Sequence, residues 1–272
     1  MTTTITDQEF ELFKNLIYQV VGISLDCHKK TLLMSRLGKR LRELGLSTYQ
    51  AYFDHVRTQG NEAELTKLLD LISTNKTDFY REPAHFVFLR DHILSEVRGS
   101  KTLRIWSAAS SSGEEPYSIA MTLLDALQDI GRWDIRILAS DISTQVLAQA
   151  ASGIYEEERV KLLPKDIVQR HFLKGRGAQA GMLQVHPRIA NLVTFRQINL
   201  MDPKFPIRSP LDVIFCRNVM IYFDRPTQAR LMEKFYRYLR SGGYLFIGHS
   251  ESLQWIDHPF TYIQPTIYQK QS

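Results

Sequence analysis

Two adjacent carboxylates, Glu114 and Glu115, follow a run of small residues and begin a predicted helix. The run itself, residues 107–113, contains nothing larger than serine, so another molecule can approach its backbone closely. Pro116 suits the first helical turn, where its missing N–H costs nothing. Because two acids would oppose phosphate at a helix N-terminus, the pattern predicts a site for hydroxyl groups or a cation.

Polar residues also follow three later predicted strands. Asp141 ends the second strand, Asn199 follows the strand near 193–197, and Arg217 and Asn218 follow the strand at 211–216. In a doubly wound sheet the ligand lies at the carboxyl ends of the strands, near the switch in strand order. An acid at the position of Asp141 accepts hydrogen bonds from ribose hydroxyls, although it could instead cap a helix that starts near Ser143. We expect these strand ends to meet at one cleft.

The glycine pattern bears on which nucleotide such a cleft would hold. The G-x-G-x-x-G fingerprint of a pyrophosphate site is missing, and only Gly113 is present. This favours a nucleoside without phosphates over a dinucleotide. The common cofactor of that description is S-adenosylmethionine, whose sulfonium and amino groups suit nearby carboxylates.

The chain changes character near residue 98, and its first part has helical periodicity. Gly45 and Gly60 lie at plausible helix ends. The apolar residues at helical spacing are Phe10, Phe13, Leu16, Ile17 and Val20, then Leu33, Leu37, Leu41 and Leu44, then Leu65, Leu68, Leu69 and Ile72. The sequence therefore predicts a helical domain over residues 1–73, with a linking segment and helix over 74–98.

Strand and helix patterns alternate after residue 98, which predicts an α/β domain with a mostly parallel, doubly wound sheet over residues 99–272. A final short β pair is expected near residues 260–269. About 50 residues separate Asp141 from the strand near 193, more than one crossover helix needs. Residues 153–193 are therefore predicted to be an insertion.

Composition sets outer limits on the class of protein. With 272 residues and 44% hydrophobic content, the chain can bury a sizeable core. No apolar run approaches the roughly 20 residues that span a bilayer, and the N-terminus lacks a secretory signal, so a cytoplasmic protein without membrane insertion is expected. Two cysteines, Cys27 and Cys216, fit a reducing compartment, and no metal-ligand spacing is visible. The net charge of +5 leaves nucleic acid, anionic lipid or an acidic protein as partners.

Four longer motifs carry a recognisable pattern: TNKTDFYRE at 74–82, WSAASSSGEEPYS at 106–118, ASDIS at 139–143 and FCRNVMIYF at 215–223. Together they resemble the CheR family of chemotaxis receptor methyltransferases, and the similarity extends from the N-terminal helices to a GHSES strand at 248–252. The resemblance implies a helical domain joined to a Rossmann-like class I methyltransferase domain with a small inserted antiparallel β-subdomain. It further implies S-adenosylmethionine-dependent methylation of glutamates on the cytoplasmic helices of bacterial chemoreceptors, with S-adenosylhomocysteine as product.

The resemblance also implies site residues. The family pattern places Asp141 at the adenosine ribose and puts Arg81 and Tyr222, as catalytic residues, beside the methyl group. The implied cofactor contacts are Asn75, Thr77, Arg81, Glu115, Asp141, Asn199, Leu200, Arg217 and Asn218. Asn199 and Leu200 would lie beside the adenine, and the last two of the set near the methionine portion.

Some of these residues have simpler interpretations. Arg81 could form a surface ion pair with Glu82, and Tyr222 lies in an apolar run where a buried aromatic is common. Cys216 is expected to be a buried hydrophobe without chemistry. Glu114 is expected to cap its helix or face outward. A non-catalytic cofactor-binding regulator would need neither Arg81 nor Tyr222.

A basic helix supplies a predicted substrate surface. At 100° per residue, Lys29, Arg36 and Arg40 fall within about 40° of one another, beside a leucine stripe. Such a run is usually a solvated face, but a basic ridge beside a cofactor cleft suits an acidic receptor helix. We therefore predict that these three residues bind the substrate.

Two partner classes remain to be weighed. In some members of the family the β-subdomain captures a receptor's C-terminal pentapeptide by strand addition, and the glycine-rich turn near residues 175–181 could serve this role or form a bare structural hairpin. A nucleic-acid methyltransferase is disfavoured because the fourth strand ends in CRNVMIY rather than an Asn/Asp-Pro-Pro-aromatic motif. We expect a monomer that does not act on nucleic acid.

Overall fold

The computed structural model describes residues 4–208 and 210–271 of the chain. Its N-terminal part is a bundle of the helices α1 Asp7–Val21, α2 Lys30–Glu43, α3 Tyr49–Arg57 and α4 Glu62–Ile72. Thr6 and Glu9 form a reciprocal capping box that starts α1. Gly22 ends this helix at a φ of 71°, a left-handed conformation that glycine adopts without a steric cost. Both ends of α1 are thus encoded locally.

The bundle buries the predicted apolar stripes, with Phe13, Ile17 and Leu37 fully enclosed. Helix α3 was missing from the sequence prediction, although its apolar residues do repeat at helical spacing. The residues concerned, all buried, are Tyr49, Tyr52, Phe53 and Val56. The periodicity of its apolar residues could therefore have predicted this helix as well.

A seven-stranded sheet forms the second part of the molecule. Its strands are β1 Thr102–Ala108, β2 Asp134–Asp141, β6 Val193–Gln197, β7 Leu211–Cys216, β8 Leu239–Ile247, β9 Thr261–Gln264 and β10 Ile267–Gln269. They lie in the order β6-β2-β1-β7-β8-β10-β9, in which only the pairs made by β10 are antiparallel. The chain proceeds to one side of β1 and then to the other, so the switch in strand order lies at β1. This confirms the predicted doubly wound class.

Helices cover both faces of the sheet. They are α5 Ala84–Phe88 and α6 Leu94–Glu96, joined by a π-helical turn at Leu89–Ile93, then α7 Glu114–Ala126, α8 Thr144–Ser152, α11 Pro187–Ala190 and α12 Arg225–Tyr238. Successive residues of a strand face opposite sides, so Ile105 joins one apolar core and Trp106 the other. None of the helices among the residues described above is both long and apolar enough to cross a membrane.

The inserted segment forms a small antiparallel sheet of β3 Ile154–Glu156, β4 Phe172–Lys174 and β5 Met182–Val185, in the order β3-β5-β4. Helices α9 Glu157–Val160 and α10 Lys165–His171 connect its first two strands. Tyr155 fixes this sheet to the main domain, since its hydroxyl donates a hydrogen bond to the carbonyl oxygen of Ser112 at 2.7 Å. The insertion therefore rests directly on the acidic turn.

The predicted GHSES strand is wrong in position. Strand β8 ends at Ile247, and residues 248–252 form the loop that follows it. Gly248 is needed there because a Cβ would lie 2.3 Å from Nδ2 of Asn218. This loop packs against the end of β7 and is part of the site described next.

Candidate active site

A cleft of about 930 Å³, including its open mouth, lies at the carboxyl ends of β1, β2 and β7. The linking segment and the end of α1 complete its walls. Every predicted cofactor residue and Tyr222 line it: Asn75, Thr77, Arg81, Glu115, Asp141, Asn199, Leu200, Arg217, Asn218 and Tyr222. The structure thus brings these residues together, while their individual contacts with a cofactor remain predictions.

The small-residue turn opens the cleft in a different way from that expected. Ala109 and Ser111 line the cleft and have φ angles of 63° and 49°. Gly113 instead serves packing, because a Cβ there would lie 2.8 Å from Cβ of Ala150 and 3.0 Å from the hydroxyl of Tyr155. Room for a ligand therefore comes from Ala109 and Ser111, and Gly113 lets α8 approach.

The two acids that begin α7 have separate roles. Glu115 lines the cleft and accepts a hydrogen bond from Oγ of Ser107 at 2.7 Å. The expectation that Glu114 faces outward is wrong, because this side chain is 1% exposed. It accepts hydrogen bonds from Oγ of Ser112 at 2.7 Å and from Nη2 of Arg159, in the insertion, at 2.9 Å. Burial raises the pKa of the Glu114 carboxyl.

A buried guanidinium organises the wall beside the acidic turn. Arg217 is 2% exposed and donates to Oε2 of Glu115 at 2.9 Å and, from Nε, to Oε2 of Glu82 at 3.4 Å. It also donates to the carbonyl oxygen of Arg81, and it lies 5.8 Å from the ring centroid of Phe86. Two carboxylates thus neutralise one buried cation and fix its position.

Glu82 was not among the predicted site residues. Burial acts to raise the pKa of its carboxyl, but the charge of Arg217 and hydrogen bonds from Asn218 and the His249 backbone hold it below the usual value. The suggested surface pair of Arg81 with Glu82 does not form, since Arg81 donates instead to the carbonyl oxygen of Lys76 at 3.1 Å. Its remaining donors can face the cleft.

Asp141 lies at the end of β2, where the sequence placed it. Its carboxylate is 7% exposed and accepts hydrogen bonds from the backbone N–H groups of Ser111 at 2.9 Å and Ser143 at 3.0 Å. Burial raises the pKa of this carboxyl, although those hydrogen bonds act to lower it. The N-cap of α8 is Ser143 and not Asp141. Asp141 contributes to this helix start only by accepting the hydrogen bond from the N–H of Ser143. The carboxylate keeps a lone pair that can accept a ribose hydroxyl.

Contacts with the helical bundle close one end of the cleft. The Asn199 side chain donates to the carbonyl oxygen of Val20 at 2.6 Å and accepts from the N–H of Met201 at 2.9 Å. The N–H of Ser24 donates to the carbonyl oxygen of Tyr222 at 2.8 Å. Helix α1 is therefore tied to Asn199, and the segment that follows it to Tyr222, so the bundle forms part of the cleft.

Sequence reasoning also missed Glu251, the anchor of the loop after β7. Its buried carboxylate accepts hydrogen bonds from the N–H groups of Asn218 at 2.9 Å, Met220 at 2.7 Å and Gly248 at 2.6 Å. These bonds fix the turn that presents Tyr222, which is half-buried at the cleft. Extending the strand-end argument to β8 would have pointed to this carboxylate.

Left-handed backbone conformations concentrate around the cleft. Non-glycine residues with positive φ include Tyr80, Glu82, Ala109, Ser111 and Asn218, all in segments that form or adjoin its walls. Such conformations are sterically costly outside glycine and persist where surrounding contacts enforce them. Their grouping is typical of a functional site.

The predicted basic ridge is not a free surface. Arg40 donates to the buried carboxylate of Glu64 at 2.6 Å, and Arg36 donates to the carbonyl oxygens of Ile72 at 2.7 Å and Ser73 at 2.9 Å. Arg36 thereby caps the end of α4 and holds the segment that enters the cleft. Internal acceptors thus engage part of each guanidinium, which corrects the expectation of a free ridge, while the substrate contacts of Arg36 and Arg40 stay predictions. Lys29 is exposed and remains a predicted substrate contact.

Comparison with known proteins decides the family. Residues 8–73 match the CheR methyltransferase, all-alpha domain, and residues 75–269 match the CheR methyltransferase, SAM binding domain. The chain belongs to the CheR methyltransferase family. Its CheR relatives include the chemotaxis protein methyltransferase of Escherichia coli (strain K12), 42% identical over 97% of this chain and 91% of that protein. Chemotaxis protein methyltransferase 2 of Pseudomonas aeruginosa is 43% identical over 97% of this chain and 93% of its own.

S-adenosylmethionine is the cofactor of this CheR domain, and the cleft suits its chemistry. The Asp141 carboxylate offers acceptors to hydroxyl groups, and Glu115 offers negative charge to an amino or sulfonium group. Apolar side chains suited to a base line the same cleft, including Ile142, Ile198 and Leu200. Glu115 and Asp141 would oppose a phosphate, whereas Glu114, which the sequence argument paired with Glu115, is turned towards Ser112 and Arg159.

Proposed function

We propose that this chain transfers the methyl group of S-adenosylmethionine to glutamate side chains on the cytoplasmic helices of bacterial chemoreceptors, forming glutamate methyl esters. Two relatives covering nearly the whole chain are chemotaxis protein methyltransferases. The observation that carries the proposal is the placement of Arg81 and Tyr222 together on the wall of the cofactor cleft. A guanidinium and a phenol can hold the two oxygens of an acceptor carboxylate.

The proposed chemistry needs little beyond positioning. When bound, S-adenosylmethionine supplies an electrophilic methyl group on a sulfonium sulfur. A glutamate carboxyl is already ionised at neutral pH, so no general base is required. The described residues that line the cleft include neither histidine nor cysteine. Cys216 is fully buried in β7, where burial raises the pKa of its thiol well above the usual value.

Alignment of the reactants then supplies most of the acceleration, since well-oriented groups gain roughly 7–11 kcal/mol over free encounter. The hydrogen bond from Arg81 to the carbonyl oxygen of Lys76 fixes the side chain of Arg81. Its guanidinium is proposed to guide the carboxylate of the acceptor glutamate. Tyr222 is proposed to hold the second oxygen. The Glu251 anchor and the Ser24 contact keep its backbone in place.

Transfer of a labelled methyl group to receptor membranes tests the proposal, with nucleic acid as a parallel substrate. Arg81→Ala and Tyr222→Phe should each lower kcat by about tenfold or more, because each removes an interaction made in the transition state. Matched controls are Arg90→Ala, which removes an exposed arginine, and Tyr262→Phe, which alters a tyrosine that is 58% exposed. Normal turnover in both site variants would remove the proposed roles.

The same assay separates the other functions. Label in nucleic acid would indicate a nucleic-acid methyltransferase, and cofactor binding without transfer to either substrate would indicate a non-catalytic regulator. Both outcomes would contradict the proposal.

We also propose that the small sheet can bind a receptor's C-terminal tail. Among the described residues, β4 has a paired neighbour only on its β5 side, so its other edge can accept an added strand. Leu173, 44% exposed, lies on this edge strand. Titration with a receptor-tail pentapeptide should give saturable binding that Lys174→Pro abolishes, because the ladder register directs the N–H of Lys174 away from β5 and proline removes this donor from the free edge. Binding unaffected by this change would refute strand addition at β4.

A further inference from the structure

Two histidines and a glutamate lie together behind the Arg217 wall of the cleft. Glu82 lies just before α5, His85 lies in the first turn of α5, and His249 comes from the loop after β8. His85 Nδ1 lies 3.7 Å from Oε2 of Glu82, and His249 Nε2 lies 4.0 Å from the same oxygen. The potential ligand atoms of all three side chains lie within 4.8 Å of one another.

The hydrogen bonds of His85 determine which of its nitrogens carries the proton. Oγ1 of Thr266 lies 2.6 Å from the carbonyl oxygen of Pro265, a distance at which two oxygens must share a proton, so the hydroxyl donates there. His85 Nε2 lies 2.6 Å from the same Oγ1 and must therefore be the donor to it. The Nδ1 of this neutral ring therefore carries no proton, and its lone pair is available to an acceptor of electrons.

That lone pair is buried and faces the other two side chains. The His85 side chain is 1% exposed, and its Nδ1 has no hydrogen-bond partner among residues 4–208 and 210–271. Buried polar atoms are rarely left in this condition without a reason. An electron-pair acceptor between His85, Glu82 and His249 would provide one.

We propose that Glu82, His85 and His249 form a binding site for a divalent transition-metal ion of the zinc and cobalt class. Two imidazoles and one carboxylate are a known zinc ligand set that leaves a fourth position open. Ligand bonds near 2.1 Å in a tetrahedron place ligand atoms about 3.4 Å apart. The 3.7 Å between His85 and Glu82 is close to this value, and His249, whose side chain is 57% exposed, can move to shorten its own distances to the other two.

Two electrostatic effects act on this site in opposite directions. Burial, followed by the charge of Arg217, lowers the pKa of His85 to about 3, so no proton has to be displaced from it at neutral pH. Arg217 lies 3.0 Å from Oε2 of Glu82 and repels a second cation. We therefore expect micromolar rather than nanomolar affinity for the metal.

Cobalt(II) absorption and zinc calorimetry on the full chain test the site. Cys27→Ser serves as the parent, because Cys27 is exposed next to His28 and could hold metal on its own. We expect one ion per chain and an absorption band of tetrahedral cobalt. His249→Ala should weaken binding by about tenfold or more, since it removes one of three ligands. His28→Ala, an exposed histidine outside the cluster, should leave binding unchanged.

A second variant, His85→Asn, should also remove the cobalt band, but its buried position could affect folding. The surface variant His249→Ala therefore decides the outcome. Zinc binding as tight in His249→Ala as in the parent, or absent from the parent at millimolar zinc, would overturn the proposal. These readouts do not depend on methyl transfer, so they remain informative whatever the substrate is.

Discussion

Replacing Glu251 by glutamine tests how far the active-site loop depends on one buried carboxylate. Oε2 accepts hydrogen bonds from the N–H groups of Asn218 and Gly248, and Oε1 accepts one from the N–H of Met220. An amide keeps a single acceptor oxygen and places an NH₂ group where the second oxygen stood. At least one buried N–H would then face another donor.

The size of the effect follows from those bonds. Hydrogen bonds to a charged group contribute about 1.5–3 kcal/mol each, and a buried donor left without a partner adds its own penalty. Loss of one such bond, with weakening of the others, should lower the free energy of unfolding by about 2–4 kcal/mol. The loop that carries Asn218 and Tyr222 would loosen at the same time, so kcat should fall as well.

Guanidinium unfolding and methyl transfer to receptor membranes measure the two effects. Glu233→Gln is the matched control, because Glu233 lies exposed on α12 in a 3.7 Å surface pair with Arg237. Its expected effect on unfolding is within about 0.5 kcal/mol. If Glu251→Gln unfolded and turned over like this control, the carboxylate would not be the anchor that the hydrogen bonds indicate.

Three further changes have clear expected results. Arg40→Ala should cost about 2–3 kcal/mol in urea unfolding at pH 7, because it leaves Glu64 buried without its cation. Arg40 is the largest cause lowering the Glu64 pKa below 4.5, so this stabilisation is present above that pH and should disappear as acid titrates the folded carboxyl. Asp141→Asn should weaken S-adenosylhomocysteine binding about tenfold in calorimetry, the equivalent of one charged hydrogen bond. Gly113→Ala should lower the free energy of unfolding, measured by thermal denaturation, by about 1–3 kcal/mol, because the added Cβ would lie 2.8 Å from Cβ of Ala150.

The site residues that were predicted from the strand pattern share one physical property. Each follows a strand of a parallel sheet, and the carboxyl ends of such strands meet at one edge whatever the intervening sequence. Asp141, Asn199 and Arg217 could therefore be grouped before any contact was known. The helix end at Gly45 was equally accessible, because a left-handed residue there is a local property of the chain.

The basic ridge shows where such reasoning stops. Helical periodicity places Arg36 and Arg40 on one side of α2, but it cannot say whether that side meets solvent or another helix. In the structure it meets α4, which supplies Glu64 and the carbonyl groups at its own C-terminus. How much of a charged stripe is free to meet a substrate therefore depends on tertiary packing.

Arg217 shows the same limit of sequence-based prediction in the active site. Its partners Glu115 and Glu82 lie 102 and 135 residues away along the chain, so no spacing rule links them. The acidic turn alone suggests a carboxylate that is free to meet a cation of the cofactor. The structure gives Glu115 a permanent cation and leaves its remaining acceptor capacity for the ligand. Because Glu82 shares that cation, we infer that the linking segment and the turn after β1 hold the cofactor cleft as one charge-balanced unit rather than as independent loops.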